Sequence, residues 1–141
     1  MRSIGLQYRY VMTKLPLSEA QNFAKKLAPK LKGGEIIALV GDLGSGKTTF
    51  TKALGKALGI KQHISSPTFV LMQEFVTKNK LHFYHLDLYR TKNMADIKSL
   101  GITEWWGRPE TITVIEWADK IQTSLPKNTQ FIHLYRDVQH N

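Results

Sequence analysis

Apolar and polar positions along the chain fall into blocks of two periods, and the order of the blocks is that of an α/β domain. Residues 8–12 (Tyr-Arg-Tyr-Val-Met) alternate and predict a short strand. Ser18-Glu19-Ala20-Gln21 has the form of a capping box, so a helix is expected to open there with Phe23, Ala24 and Leu27 on its buried side. Pro29 and then Gly33-Gly34 end that helix. The next strand, 35–40, carries the continuous apolar run Ile36-Ile37-Ala38-Leu39-Val40. A second helix is expected from Thr48 to about Leu58, with Gly59 as its left-handed stop.

Ser65-Ser66-Pro67-Thr68 reads as a polar turn before a strand from Phe69 to Val76. Thr77-Lys78-Asn79-Lys80 is a hairpin turn, and Leu81 to Leu88 alternates as the returning strand. A short helix near Met94–Leu100 and strands at Thr111–Trp117 and Phe131–Tyr135 complete the pattern. The expected architecture is a three-layer α/β fold. Its sheet is mixed, mostly parallel, with one β-hairpin.

The chemistry concentrates between the first long apolar strand and its helix. Gly41-Asp42-Leu43-Gly44-Ser45-Gly46-Lys47-Thr48 satisfies G-x-x-x-x-G-K-[ST] in full, in the strand–turn–helix context that makes the pattern a phosphate-binding loop. A plain chain reversal would need neither a lysine nor a hydroxyl at those offsets. Glycines let main-chain N–H groups approach a polyphosphate, and the positive end of the following helix adds to the anion site. Lys47 is expected on the β- and γ-phosphates and Thr48 on Mg²⁺, with Thr49 as a further phosphate contact. The expected ligands are therefore a nucleoside triphosphate and Mg²⁺, held by Asp42 through Thr49, and the expected fold is of the P-loop NTPase kind.

Such a loop needs a carboxylate from a neighbouring strand end. Glu116 ends Ile112-Thr113-Val114-Ile115 and is read as the metal ligand; Asp87 ends Leu81 to Leu86 in the same manner and suits water positioning. Thr68 stands either in a switch segment sensing the γ-phosphate or in a proline-fixed strand entry. Arg90 is either a phosphate or partner clamp or a surface residue, and Trp117 either lies against the nucleotide or packs. Trp105 and Trp106 read as packing residues, and the five histidines lack metal-ligand spacing.

With 141 residues the chain is expected to be one domain. No cysteine is present, which removes disulfides, thiolate metal sites and thiol nucleophiles. No run is apolar enough to span a membrane and the first residues lack a signal peptide, so a cytoplasmic protein is expected. The net charge of +9 favours polyanionic partners such as RNA, although the lysines are scattered and equally suit solubility.

Taken in order, Gly-Asp-Leu-Gly-Ser-Gly-Lys-Thr-Thr (41–49), Ser-Pro-Thr-Phe (66–69), His-Leu-Asp-Leu-Tyr-Arg (85–90), Gly-Ile-Thr-Glu (101–104) and Ile-Glu-Trp (115–117) resemble the small bacterial ATPase family TsaE, also called YjeE. The likeness runs from about Leu17 to Leu134. It implies a Mg²⁺-dependent ATPase, weak alone, that works with the TsaB–TsaD pair in making threonylcarbamoyladenosine in tRNAs reading codons that begin with A. TsaD makes the transfer, and ATP hydrolysis permits repeated cycles; contact with tRNA itself is implied to be indirect.

By position the resemblance gives Lys47 and Thr48 to phosphate and Mg²⁺, Glu116 to the metal and Asp87 to hydrolysis. Trp105-Trp106 are bulkier than the family pattern leads one to expect. Relatives usually continue past the position of Asn141, and without a further strand there an open sheet edge is expected.

Two other enzyme classes fit less well. A small-molecule kinase would hold its second substrate with lid arginines, whereas the arginines after the loop are Arg90, Arg108 and Arg136, with no lid-like insertion. A GTPase would need an aspartate where Asn79-Lys80-Leu81-His82 has His82. A nucleotide-gated binding module is the non-enzyme alternative.

Overall fold

The computed structural model describes residues 11–64, 72–89, 94–99 and 101–137. Strands β1 (Val11–Pro16), β2 (Ile36–Val40), β3 (Met72–Val76), β4 (His82–Asp87), β5 (Thr111–Glu116) and β6 (Gln130–Tyr135) form one sheet in the order β1-β6-β2-β5-β4-β3. Helices α1 (Ala20–Leu27), α2 (Lys47–Ala57) and α3 (Met94–Lys98) and several 3-10 turns connect them. Every neighbouring pair is parallel except the β3–β4 hairpin. Among the described residues no helix is long and apolar enough to cross a membrane.

Burial explains the order. All five residues of β2 and all six of β5 are buried, as expected of central parallel strands covered on both faces. Side chains alternate between two cores. Ile37, Leu39, Ile112, Val114 and Ile132 face α1 and α2, where Phe50 and Leu54 meet them. Ile36, Ala38, Val40, Leu86 and Ile115 face Ile97 of α3 and the 3-10 turns. Trp105 and Trp106 cover this second face, and the Trp105 ring stacks on Tyr84 at 4.5 Å. The expected three layers are therefore present, and the tryptophan pair is packing.

Helix ends follow local chemistry at one point and not at another. α2 stops as expected: Gly59 (φ +87°) donates to Lys56 O, and Ile60 donates to Gly55 O, the paired bonds of a left-handed glycine stop. α1 does not open with a capping box. Leu17–Glu19 form a 3-10 turn, the helix starts at Ala20, and no side chain caps it. Ser18 instead donates through its amide (3.0 Å) and hydroxyl (2.5 Å) to Asp137, because the pairing of Pro16 with Tyr135 carries Asp137 alongside.

The first strand also differs, lying at Val11–Pro16; residues 8–10 of the expected 8–12 are outside the described ones. β6 is interior, and among the described strands the sheet edges are β1 and β3.

Candidate nucleotide site

The loop Gly41–Gly46 leaves β2 at the C-terminal end of the sheet, and α2 begins at Lys47. Two glycines are required by shape. A Cβ on Gly41 would stand 2.4 Å from the Leu134 carbonyl oxygen of β6, and Gly46, at φ +107°, enters α2 from the left-handed region. Lys47 folds back across the loop. Its Nζ donates to Gly41 O at 2.6 Å, Asp42 O at 2.9 Å and Ser45 Oγ at 3.3 Å, and lies 3.9 Å from the Trp117 ring centroid. Burial lowers the Lys47 pKa, opposed first by Glu116 and then by Asp119, Asp87 and Asp42. Leu43 and Gly44 form the exposed tip, and Asp42 is exposed beside them.

The neighbouring strand β5 delivers Glu116, which is 2% exposed. Thr48 Oγ1 donates to its carboxylate at 3.2 Å, Thr51 Oγ1 lies 3.4 Å from it, and His85 Nε2 is 2.6 Å away. An ionised carboxylate only accepts, so Nε2 carries the proton on that side, and the Gln73 side-chain amide group lies 3.0 Å from Nδ1, which in that tautomer accepts. The β4–β5 register sets Asp87 directly beside Glu116. Asp87 is half-buried and accepts from the Tyr89 amide at 3.0 Å. Trp117 follows Glu116 at φ +62°, a conformation rare for a large side chain. Its ring stands 5.0 Å from that of Tyr89.

The loop, Lys47, Thr48, Asp87, Glu116 and Trp117 thus converge on one end of the sheet, as their spacing leads one to expect. Thr49 is turned toward the groove between α1 and α2. Thr68 and Arg90 lie outside the described residues.

A sequence profile described as threonylcarbamoyl adenosine biosynthesis protein TsaE matches residues 16–141. The chain belongs to the TsaE family. Curated relatives carry the name tRNA threonylcarbamoyladenosine biosynthesis protein TsaE. That of Bacillus subtilis is 38% identical over 77% of this chain and 66% of its own length; that of Rickettsia bellii is 43% identical over 77% and 74%. The chain therefore spans about two thirds of the Bacillus relative. The crystal structure of Bacillus subtilis YdiB superimposes with a TM-score of 0.67 at 31% identity, over 89% of this chain and 75% of that one.

In this TsaE-family chain three neighbours of the motifs escape sequence reading. His85 lacks metal-ligand spacing, yet two residues before Asp87 on one strand it shares a face with it. Thr51, three residues after Thr48, lies on the same side of α2. Arg136 follows β6, and a Cβ on Gly44 would be 3.3 Å from its Nη1, so the guanidinium covers the loop tip.

Burial is the main cause that raises the Asp87 pKa, the Tyr89 amide opposes it, and the Glu116 charge adds to it. A carboxyl held above its unfolded value contributes stability at low pH that is lost as pH rises through the folded value. Asp87→Asn keeps an acceptor for the Tyr89 amide and removes the titration. The stability of the native chain relative to this variant is expected to fall on going from below the ordinary aspartate range to neutral pH. Urea midpoints of both proteins across that range, without nucleotide, check this; a constant difference contradicts it.

Proposed function

We propose that this protein binds ATP with Mg²⁺ at the loop Gly41–Thr48, hydrolyses it, and serves the formation of threonylcarbamoyladenosine in tRNA together with a TsaB–TsaD pair. The observation that carries this is the hydroxyl–carboxylate pair of Thr48 and Glu116, 3.2 Å apart at the mouth of the glycine loop. Hard oxygen donors of this kind suit Mg²⁺, which keeps waters and phosphate oxygens as its other ligands and needs no protein cage. When bound, the metal offsets charge on the β- and γ-phosphates.

The remaining work falls to the chain. Loop amides hold the phosphates, and Lys47 leaves the carbonyls of Gly41 and Asp42 for them. His85 and Thr48 fix the Glu116 carboxylate. Asp87, beside Glu116, orients the attacking water. The relatives' name suggests the biological setting, a tRNA modification step, and a cytoplasmic protein suits that setting.

Mg²⁺-dependent ATP hydrolysis, measured alone and with the organism's TsaB–TsaD pair, tests the reading. Slow turnover alone that rises with the pair is expected. Equal and negligible turnover in both would overturn it.

A further inference from the structure

Two depressions adjoin on the outer side of α1 and α2. One, of about 620 Å³, runs between the helices and is lined by Lys25, Lys52 and Lys56 together with Gln21 and Thr49. The other, of about 590 Å³, shares Lys52 and Lys56 and continues past the end of α2 to Lys61 and His63. Among the described residues neither is lined by a carboxylate. The sequence explains why: no acid occurs between Asp42 and Glu74, nor between Glu19 and Glu35. Glu35 itself accepts from the amides of Lys32 and Gly33.

A face charged only for solubility mixes signs, with acids at helical spacing from the lysines. Here Lys52 and Lys56 stand four apart with like charge. Among the described residues the ion pairs are His82–Glu74 and His85–Glu116, so no carboxylate pairs with Lys25, Lys52, Lys56 or Lys61. An uncompensated cationic groove matches a polyanion in charge. Among the described residues no Phe, Tyr or Trp lines it, so that lining offers contact to a phosphate backbone and not a platform for stacking bases.

We propose that the α1–α2 groove binds the phosphate backbone of RNA, so that this chain touches tRNA directly. The choice of RNA over an acidic protein rests on the tRNA-modification reading above. Lys52 and Lys56 share α2 with Lys47 and Thr48. One rigid helix therefore joins the groove to the nucleotide site.

The test is fluorescence anisotropy with an unmodified tRNA transcript, titrated at several salt concentrations. Four lysine–phosphate contacts give a slope of log affinity on log salt between about −3 and −4. Lys52→Ala/Lys56→Ala should reduce its magnitude by about two and weaken binding roughly tenfold or more near physiological salt. Lys98→Ala/Lys127→Ala removes the same net charge from exposed positions outside the groove and should change affinity much less. ATP binding by both double variants verifies that the fold is kept.

Equal weakening by the two double variants would overturn the proposal, because bulk charge alone would then explain binding. So would an absence of salt-dependent tRNA binding, or lysine-dependent binding of the TsaB–TsaD pair without any of tRNA. Partner-stimulated hydrolysis, measured on the native protein, reports separately on the function it rests on.

Discussion

Lys47→Ala is expected to leave the chain folded and to remove tight ATP binding. Two charge-assisted hydrogen bonds to phosphate are worth about 1.5–3 kcal/mol each, so their loss weakens binding by roughly a hundredfold or more. The fold does not depend on this ammonium. Burial lowers its pKa, which marks its charge as a cost to the folded state, only partly offset by the four carboxylates around it. Of the backbone oxygens it releases, that of Asp42 belongs to an exposed residue and that of Gly41 to a half-buried one, so water can replace the ammonium. Calorimetric titration with ATP and a thermal melt of the same sample separate the two effects. Undiminished ATP affinity would remove Lys47 from the site.

Glu116→Gln is expected to cut Mg²⁺-dependent turnover by on the order of a hundredfold or more, since a metal's stabilisation of transition-state charge is worth several kcal/mol. Glutamine keeps the volume and can still accept from Thr48, but it loses the charge that a hard cation requires. It also alters the bond with His85, which is fully buried and 2.6 Å away. The measurement is hydrolysis rate against Mg²⁺ concentration with the TsaB–TsaD pair present. An unchanged rate and an unchanged Mg²⁺ midpoint would take Glu116 out of the metal site.

Local information carried the reading of this chain a long way. The loop, the stop at Gly59, the hairpin turn and the acids at two strand ends each depend on residues within a few positions of one another. Ser18 shows where such reasoning stops. Its sequence neighbours offer a capping box, yet its hydroxyl meets Asp137 across 119 positions, because pairing of the first strand with the last decides the matter. His85 shows the same limit at the site. Nothing near it in sequence distinguishes it from a core histidine, and only the β4–β5 pairing sets it against Glu116. Trp105 and Trp106 depart from the family pattern, but among the described residues the face they cover carries the short α3 and 3-10 turns, and large rings fill that layer.

The placing of β2 bears on how the molecule comes into being. Its hydrogen-bonding neighbours are both supplied late: Ile36 pairs with Thr113, and Ile37 with Gln130. A growing polypeptide therefore carries the complete glycine loop long before anything can hold the strand that presents it. Parallel pairings of such wide sequence separation close slowly. In the finished sheet β6 lies between β1 and β2, so the last of the described strands to be synthesised completes the support of the glycine loop.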